Sequence, residues 1–434
     1  MARLKIEAED FLRYNPTVRN ALARYKIAAA VKAHPADIAE TLHKLRELCA
    51  AARLASEDDT VLQAEREIRT LLQQVDPATI PWETILPDPT SSRITKGIIL
   101  KPYISEREKG VVFVSSETQM ARLAKATDLQ HFAERYTLVV APSWCPPHSV
   151  FTYLFPLLYP DTIISLISNA KDLTYFPRIN PKYDMVPLYA SNWVDAREFV
   201  PVPKDEKNID IFMVAEFAKY KRHHVLFRAL RDVPREYRVV LNGQSEPGRS
   251  RQTILNEAGS YGVRDRFELR ENVTKEELHN NLVHAKTSVV LSMREGSGVS
   301  VVESMFANTP VGMFEDAEIG SRAFITPQTG RLLQHAELGQ QLTEFVETSH
   351  TYEPRAWVME HHIGCLDSSV MLNTMLRHRA LHSGLDWTSD IAPLRWRPNP
   401  QYYNPDDAAG MGQAHEDIEA CGLLIGPAAM EGIK

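Results

Sequence analysis

A chain of 434 residues exceeds what one hydrophobic core usually serves, so two domains are the first expectation. Hydrophobic residues at 44% and charged residues at 24% exclude disorder over most of the length. The net charge of -7 argues against a general polyanion binder, and so against nucleic acid as the main partner, while leaving room for a local basic pocket for phosphate.

The opening "MARLKIEAEDFLRYNPTVRN" lacks an apolar h-region and does not read as a secretory signal. Residues 17–75 are helical in pattern. Ile38, Leu42, Leu45, Cys49 and Ala52 fall on one stripe, and Val61, Ala64, Ile68, Leu71 and Val75 repeat it. This predicts two amphipathic helices, packed on their own domain or offering an oligomer or partner surface. The Pro-rich run Asp76 to Ser92 reads as a connection.

From about residue 95 short apolar runs alternate with helical segments: "GIILKP", "GVVFVS", a helix from Glu117 to Arg135, "TLVVAP", a helix near Val150 to Leu158, then "TIISLIS". Such alternation predicts a parallel sheet covered by helices. A second series follows with "IDIFMVA", "YRVVLNG", "FELREN", "TSVVLS" and "PVGMF". The expected architecture is α/β, with two doubly wound Rossmann-like halves facing across a cleft and joined near "NWVDAREFVPVPKDEKN". After about Ser349 come helices rich in His and Arg, and from Asn399 a loosely ordered tail.

Cys49, Cys145, Cys365 and Cys421 lie far apart with no C-x-x-C, which suits free thiols in a reducing cytoplasm. The most apolar window, "SVFTYLFPLLYPDTIISLIS", is broken by Pro156, Pro160 and Asp161, which disfavours a transmembrane segment. Peripheral membrane contact stays open.

The stretch "REGSGVSVVESMFANTPVG", Arg294 to Gly312, carries the chemistry. "TSVVLS" is a strand, "MREGSG" the loop at its carboxyl end, and "VSVVESMFA" the next helix. Ligands collect outside the carboxyl ends of strands in open α/β sheets. Gly296 and Gly298 allow close backbone approach, and the amides of Gly298, Val299 and Ser300 at the helix start form an anion site. Glu303, a turn inside the helix, can accept hydrogen bonds from two ribose hydroxyls. Glu295, in the loop, lies nearer whatever a diphosphate carries. As isolated features two glutamates so spaced on a loop and helix are most often a cap and a solvated face.

The stretch resembles the donor-site signature of retaining GT-B glycosyltransferases of the glycosyl transferases group 1 (GT4) type. There a Glu, seven residues, Glu pattern runs through "EGxG", a Glu-led helix and "G-x-P-V", matched here by Glu295, Gly296, Gly298, Glu303, Pro310 and Val311. The resemblance extends upstream to "MVAEFAKYKRHHVLFRALRDV" and downstream to "AEIGSRAFITPQTGRLL", and is strongest over residues 209–346. It implies a metal-independent, hexosyltransferase-like enzyme that requires no cofactor. The donor would be a UDP-, GDP- or ADP-linked nucleotide diphosphate sugar, and the acceptor a glycan, lipid or small molecule. Lys221 then neutralises the diphosphate, Glu303 holds the ribose, Glu295 touches the donor sugar, and Gly298, Val299 and Ser300 bind through their backbone. Lys219 is a further cation, and Gly243, ending "VVLNG", is either a strand-end turn or a close approach to the donor.

Several positions depart from the family pattern. Its Arg after the first strand of this half aligns with Glu216, whose charge opposes a diphosphate; Lys219, Lys221 or Arg222 would have to supply the positive charge. Ser297 replaces an aromatic residue, and Asn308 a glycine, Asn being tolerant of left-handed backbone. In the N-terminal half "GIILKPYISER" lacks the usual glycines, and Ser168 and Asn169 stand where a His is expected. His148, in "APSWCPPHS", is the nearby candidate. Cys145 with His148 as thiol and base, and His361, His362 and Cys365 as a metal site, lack the remaining groups such chemistry needs.

The chain holds no D-x-D, no Walker lysine motif and no G-x-G-x-x-G, so metal-held diphosphate, nucleotide hydrolysis and hydride transfer lose their usual markers. The expected division is a helical extension and linker (1–92), an acceptor-side Rossmann-like domain (93–200), a nucleotide-sugar domain (201–348), and C-terminal helices crossing back with a tail (349–434). A homo-oligomer through the N-terminal helices stays open. Rival classes are a catalytically silent sugar-nucleotide-binding protein, a GT-B epimerase or phosphorylase, and a scaffold.

Overall fold

The computed structural model describes residues 2–86, 93–396 and 399–426. The chain forms two compact units, one of residues 12–193 with 365–434 and the other of residues 1–11 with 194–364. Residues 87–92 of the expected connection and 427–434 of the expected tail lie outside the described residues.

Four helices open the chain: α1 (Ala2–Tyr14), α2 (Pro16–Lys32), α3 (Ile38–Leu54) and α4 (Asp58–Leu72). Two were expected. Local chemistry fixes where α2 and α3 start. Asn15 accepts from the Val18 amide and Pro16 occupies the first turn of α2, while Asp37 accepts from the Glu40 amide of α3. α2 escaped the sequence pattern because its buried face, Arg19, Asn20, Ala23, Ile27 and Ala30, carries a single large apolar residue.

A short helix α5 (Trp82–Ile85) leads to β1 (Arg93–Ile94), β2 (Gly97–Lys101) and β3 (Gly110–Ser115). The expected helix 117–135 is two, α6 (Thr118–Ala126) and α7 (Leu129–Arg135), since Asp128 caps the His131 amide and starts a new helix. β4 (Tyr136–Ala141), α8 (Val150–Leu158), β5 (Ile163–Ile167), α9 (Asp172–Ile179) and β6 (Tyr183–Tyr189) complete a five-stranded sheet of order β2-β3-β4-β5-β6. It is not wholly parallel. β2 runs antiparallel to β3, because the residues between them are too few for the crossover a parallel pair needs.

Period-2 alternation gives this sheet two apolar faces. Val112, Val114, Leu138 and Val140 pack with Leu42, Leu45, Leu48 and Ile68 of α3 and α4. Val111, Phe113, Val139 and Ile164 pack with Leu372 and Leu376, on α16 (Cys365–His382). Of the two readings open to the N-terminal helices, the structure has them packed on their own unit: their stripe covers the sheet's own face.

The six-stranded unit contains β7 (Ile209–Val214), α10 (His223–Ala229), β8 (Val239–Gly243), α11 (Arg251–Ser260), β9 (Glu268–Glu271), α12 (Lys275–Val283), β10 (Ala285–Val290), α13 (Val299–Phe306), β11 (Val311–Phe314), β12 (Gly330–Leu333), α14 (Leu338–Glu347) and α15 (Pro354–Glu360). All its strands are parallel, in the order β12-β11-β10-β7-β8-β9. β6 and β12 were absent from the sequence reading. Residues 2–11 of α1 join this unit: Glu7 accepts from Arg228 at 3.0 Å and from the Tyr261 hydroxyl at 2.9 Å.

Residues 399–426 are not a loose tail. β13 (Leu394–Trp396) pairs antiparallel with β14 (Pro400–Tyr402), and α17 (Gly412–Ala420) leads to β15 (Leu424–Ile425), which pairs parallel with β1. Ala414, Ile418 and Leu423 are buried in the same core as α3 and α4, which the Pro, Asp, Gly and Ala content concealed.

Candidate functional site

In the six-stranded unit the chain runs outward from β7 to β8 and β9, then returns to the other side of β7 with β10. The β7/β10 boundary is therefore a topological switch point, where two loops leave the carboxyl ends of neighbouring strands in opposite directions and open a crevice. The loops meeting there are 215–222, after β7, and 291–298, after β10.

Lys221 and Glu295 bridge the two loops. The ammonium lies 2.8 Å from each carboxylate oxygen, and both side chains are mostly covered. Arg222 follows in left-handed backbone, φ 55°, so its side chain turns away from that of Lys221. It donates to the Leu291 carbonyl at 3.2 Å and to both carboxylate oxygens of Asp10 at 2.9 and 2.7 Å. Burial would raise the Asp10 carboxyl, but hydrogen bonds from His224 and Arg222 outweigh it and hold that carboxyl well below the usual range. Lys219 is half exposed and paired with Glu9 at 2.8 Å. Arg222 is thus a strut between the loops, which leaves Lys221 as the cation facing Glu295.

Glu216 stands where the family pattern has Arg. It accepts from the Tyr220 hydroxyl, and its carboxylate beside Glu246 pushes the Glu246 carboxyl up. This corner of the site is acidic.

On the β10 side, Gly298 caps α13 with φ 70°. A Cβ there would lie 2.7 Å from Ser321 Oγ and 2.8 Å from Ile319 Cγ2, so glycine is required for both its conformation and its surroundings. Segment 318–321 holds the loop in place: the Gly320 and Ser321 amides donate to the Gly296 and Ser297 carbonyls at 2.9 Å, and the Glu318 amide to Met293 at 2.7 Å. The first-turn amides of Val299 and Ser300 have no acceptors within their own helix, and both residues are only half-buried. Glu303 is fully buried beside Val301 and Val302, so its carboxylate does not face bulk water. Asn308 takes φ 53°, as the loss of the family glycine requires.

Two expected site residues are corrected. The space before Gly243 belongs to the protein itself, since a Cβ there would lie 2.5 Å from the Ala215 carbonyl and against Phe217; that close approach is internal. His148 is a core residue of the five-stranded unit, fully buried. Its Nδ1 lies 2.9 Å from the Tyr153 hydroxyl and its Nε2 3.7 Å from Glu65. Burial, with Arg178 nearby, lowers its pKa to about 3. A neutral ring enclosed by its own unit has no face for a donor. Cys145 hydrogen-bonds Asp172, so it forms no thiol and base couple with His148. All four cysteines are free and buried.

Among the described residues no cluster of three or more His, Cys, Asp or Glu could hold a metal ion, and no helix is long and apolar enough to cross a membrane. A cavity of about 710 Å³ in the five-stranded unit includes none of the expected site residues. It lies at the amino ends of β3 to β6, where Lys109 pairs with Asp161 and Arg379 with Asp184. Sequence reading missed the Arg222 strut and the Glu216–Glu246 juxtaposition. Arginine gives no sign of left-handed backbone, and a contact across 30 residues leaves no periodic trace.

Residues 195–337 match the family model of glycosyl transferases group 1. Sucrose-phosphate synthase from Thermosynechococcus elongatus is similar in structure at 16% identity and a TM-score of 0.50, over 63% of this chain and 74% of that one. An Anabaena HepE protein in complex with UDP is similar at 14% identity and a TM-score of 0.49, over 64% and 80%. The pneumococcal O-GlcNAc transferase GtfA in complex with UDP and GlcNAc matches at 13% identity and a TM-score of 0.45, over 61% of this chain. The chain spans little more than half of that last protein, 55%. No curated protein matches the chain. The fold is GT-B, and residues 195–337 carry the group 1 signature.

Proposed function

We propose that the protein is a glycosyltransferase that moves a sugar from a nucleotide diphosphate sugar to an acceptor, with retention of anomeric configuration and without a metal. The observation that carries this reading is the Lys221–Glu295 pair at the β7/β10 switch point, within the segment that matches the family. Departure of the nucleoside diphosphate builds negative charge on its phosphates. The Lys221 ammonium and the first-turn amides of Val299 and Ser300 stabilise that charge, with Gly298 giving backbone access. Lys219 adds long-range attraction. Glu295, released from Lys221, orients the donor sugar, and Glu303 accepts from the ribose hydroxyls. Because Glu303 is fully buried, ribose contact requires local opening around α13. The free buried thiols fit a reducing, cytoplasmic setting.

One observation favours a second reading, a sugar-nucleotide-binding protein without transfer. Glu216 and Glu246 place acid where a cation would hold the leaving group.

A thermal-shift panel of UDP-, GDP- and ADP-sugars on the wild type, Glu303→Gln and Glu303→Ala tests the reading. One base series should raise the wild-type midpoint and neither variant's. Absence of any shift on the wild type removes the main support. Binding without transfer across a broad acceptor screen selects the second reading.

A further inference from the structure

In the five-stranded unit a cavity of about 640 Å³ is lined by Arg24 of α2, Arg66 and Arg69 of α4, and Arg178 of α9. Leu62, Arg66 and Arg69 follow the i, i+4, i+7 spacing of one helix face. In a chain of net charge -7, four arginines around one cavity against only Asp59 and Glu65 is a local reversal of sign. None of the residues proposed for the donor lines it.

The floor is built. Glu65 is 3% exposed and accepts from Arg178 Nη2 at 2.8 Å, which fixes that guanidinium over the Tyr175 ring, 5.0 Å from its centroid. Arg69 donates to the Arg178 carbonyl at 3.4 Å. Arg24 is drawn to Glu57 at 2.7 Å on the outer side. Among the described residues, Arg66 and Arg69 form no ion pair within 4 Å, although the Arg69 charge acts on the Glu65 carboxylate. Buried Nε of Arg178 has no hydrogen-bond partner either. The groove therefore holds one guanidinium in a fixed orientation and presents two more, Arg66 and Arg69, that are exposed and held by no close ion pair among the described residues.

We propose that this groove is a second binding site, for a phosphorylated ligand. Guanidinium forks match phosphate oxygens in pairs, and several converging forks suit a group with three or more acceptor oxygens better than a single carboxylate. The volume is that of a small-molecule site, and Leu62, 37% exposed, offers an apolar surface beside the charge. The same chemistry is presented by a soluble phosphate ester and by a phospholipid headgroup. Tyr25 and Leu22, both exposed on α2, would suit the second source.

The full chain and its Arg66→Gln/Arg69→Gln variant are titrated with inorganic pyrophosphate, and with vesicles of phosphatidylcholine with and without phosphatidic acid. Both arginines are exposed, so the variant should keep the wild-type circular dichroism melt and the wild-type response to nucleotide sugars. Pyrophosphate binding that weakens about tenfold or more in the variant, and falls with added salt, assigns a soluble phosphate ester. Binding only to the phosphatidic acid vesicles, lost in the variant, assigns the headgroup. Equal binding by variant and wild type, or no binding of either probe by the wild type, overturns the proposal.

Discussion

Lys221 donates to both carboxylate oxygens of Glu295 at 2.8 Å, across 74 residues of sequence. Each group holds the charge the other would lose to a bound donor: the ammonium belongs on a diphosphate, the carboxylate on sugar hydroxyls. A partly exposed pair of this kind contributes about 1 kcal/mol or less to stability. Lys221→Ala should therefore leave the melting temperature close to wild type. Transfer should fall ~100-fold or more, as expected when a group stabilising leaving-group charge is removed. Steady-state kinetics with the donor found in the thermal-shift panel would check this. A variant with wild-type kcat and KM would remove Lys221 from the site.

Glu216 gives a prediction of opposite sign. A hydrogen bond with its carboxyl, followed by burial and its charge, pushes the Glu246 carboxyl up, so the acidic pair favours a proton between its carboxyls and opposes a diphosphate. Glu216→Arg replaces that opposition with an attraction and returns the charge of the family pattern. UDP or its counterpart nucleotide should bind about tenfold more tightly, the order of one added charged hydrogen bond. Glu216→Gln should fall between the two, and calorimetric titration of all three proteins orders them. If Arg weakens binding instead, the acid has a role of its own, which would suit a protein that binds without transferring.

The sequence was most legible where one physical period dominates. β7, β8 and β11 of the six-stranded unit are near-continuous apolar runs, and Gly298 lies at the left-handed cap where a Gly-rich loop meets a helix. Legibility failed where structure depends on partners distant in sequence. α2 buries two polar residues and two alanines with only Ile27 as a large apolar residue, a mix that gives almost no periodic contrast. β12 is four residues long and half-covered at its centre. His148 occupies a loop that, by chain order alone, belongs at a strand's carboxyl end; only the packing of α4, α8 and α9 encloses it. Gly243 shows the same limit, since a glycine making room for Phe217 and one making room for a ligand read alike.

Gly298 combines two constraints that can be separated. Any Cβ meets the left-handed backbone cost, and this one also meets Ser321 Oγ at 2.7 Å and Ile319 Cγ2 at 2.8 Å. Gly298→Ala should destabilise the six-stranded unit by about 2–4 kcal/mol. Adding Ser321→Ala relieves one contact and should recover part of that loss, because the Ser321 hydroxyl is buried without a hydrogen-bond partner. Denaturant unfolding of both proteins measures the recovery. A Gly298→Ala protein as stable as wild type would show that the loop can move away, and with it the amides proposed to hold phosphate.

The buried imidazoles make stability depend on pH in a stated direction. His148 and His223 are both fully enclosed, and burial lowers each to about 3, with Arg178 and Arg249 respectively adding to the effect. In the unfolded chain each titrates near 6.5. Between those values the unfolded state binds protons that the folded state refuses, so stability is fully present above about pH 6.5 and is lost as pH falls towards 3. Each ring contributes a slope of at most ~1.4 kcal/mol per pH unit. Between pH 6.5 and about 4.5, above the range where carboxylates take over, the midpoint should fall steadily. The two rings lie in different units, so His148→Gln, which can still meet the Tyr153 hydroxyl, should flatten the decline for the five-stranded unit and leave that of the six-stranded unit unchanged. Proteolysis in each unit across that pH window reads the two separately, and an undiminished slope in His148→Gln would show that another group carries the acid sensitivity.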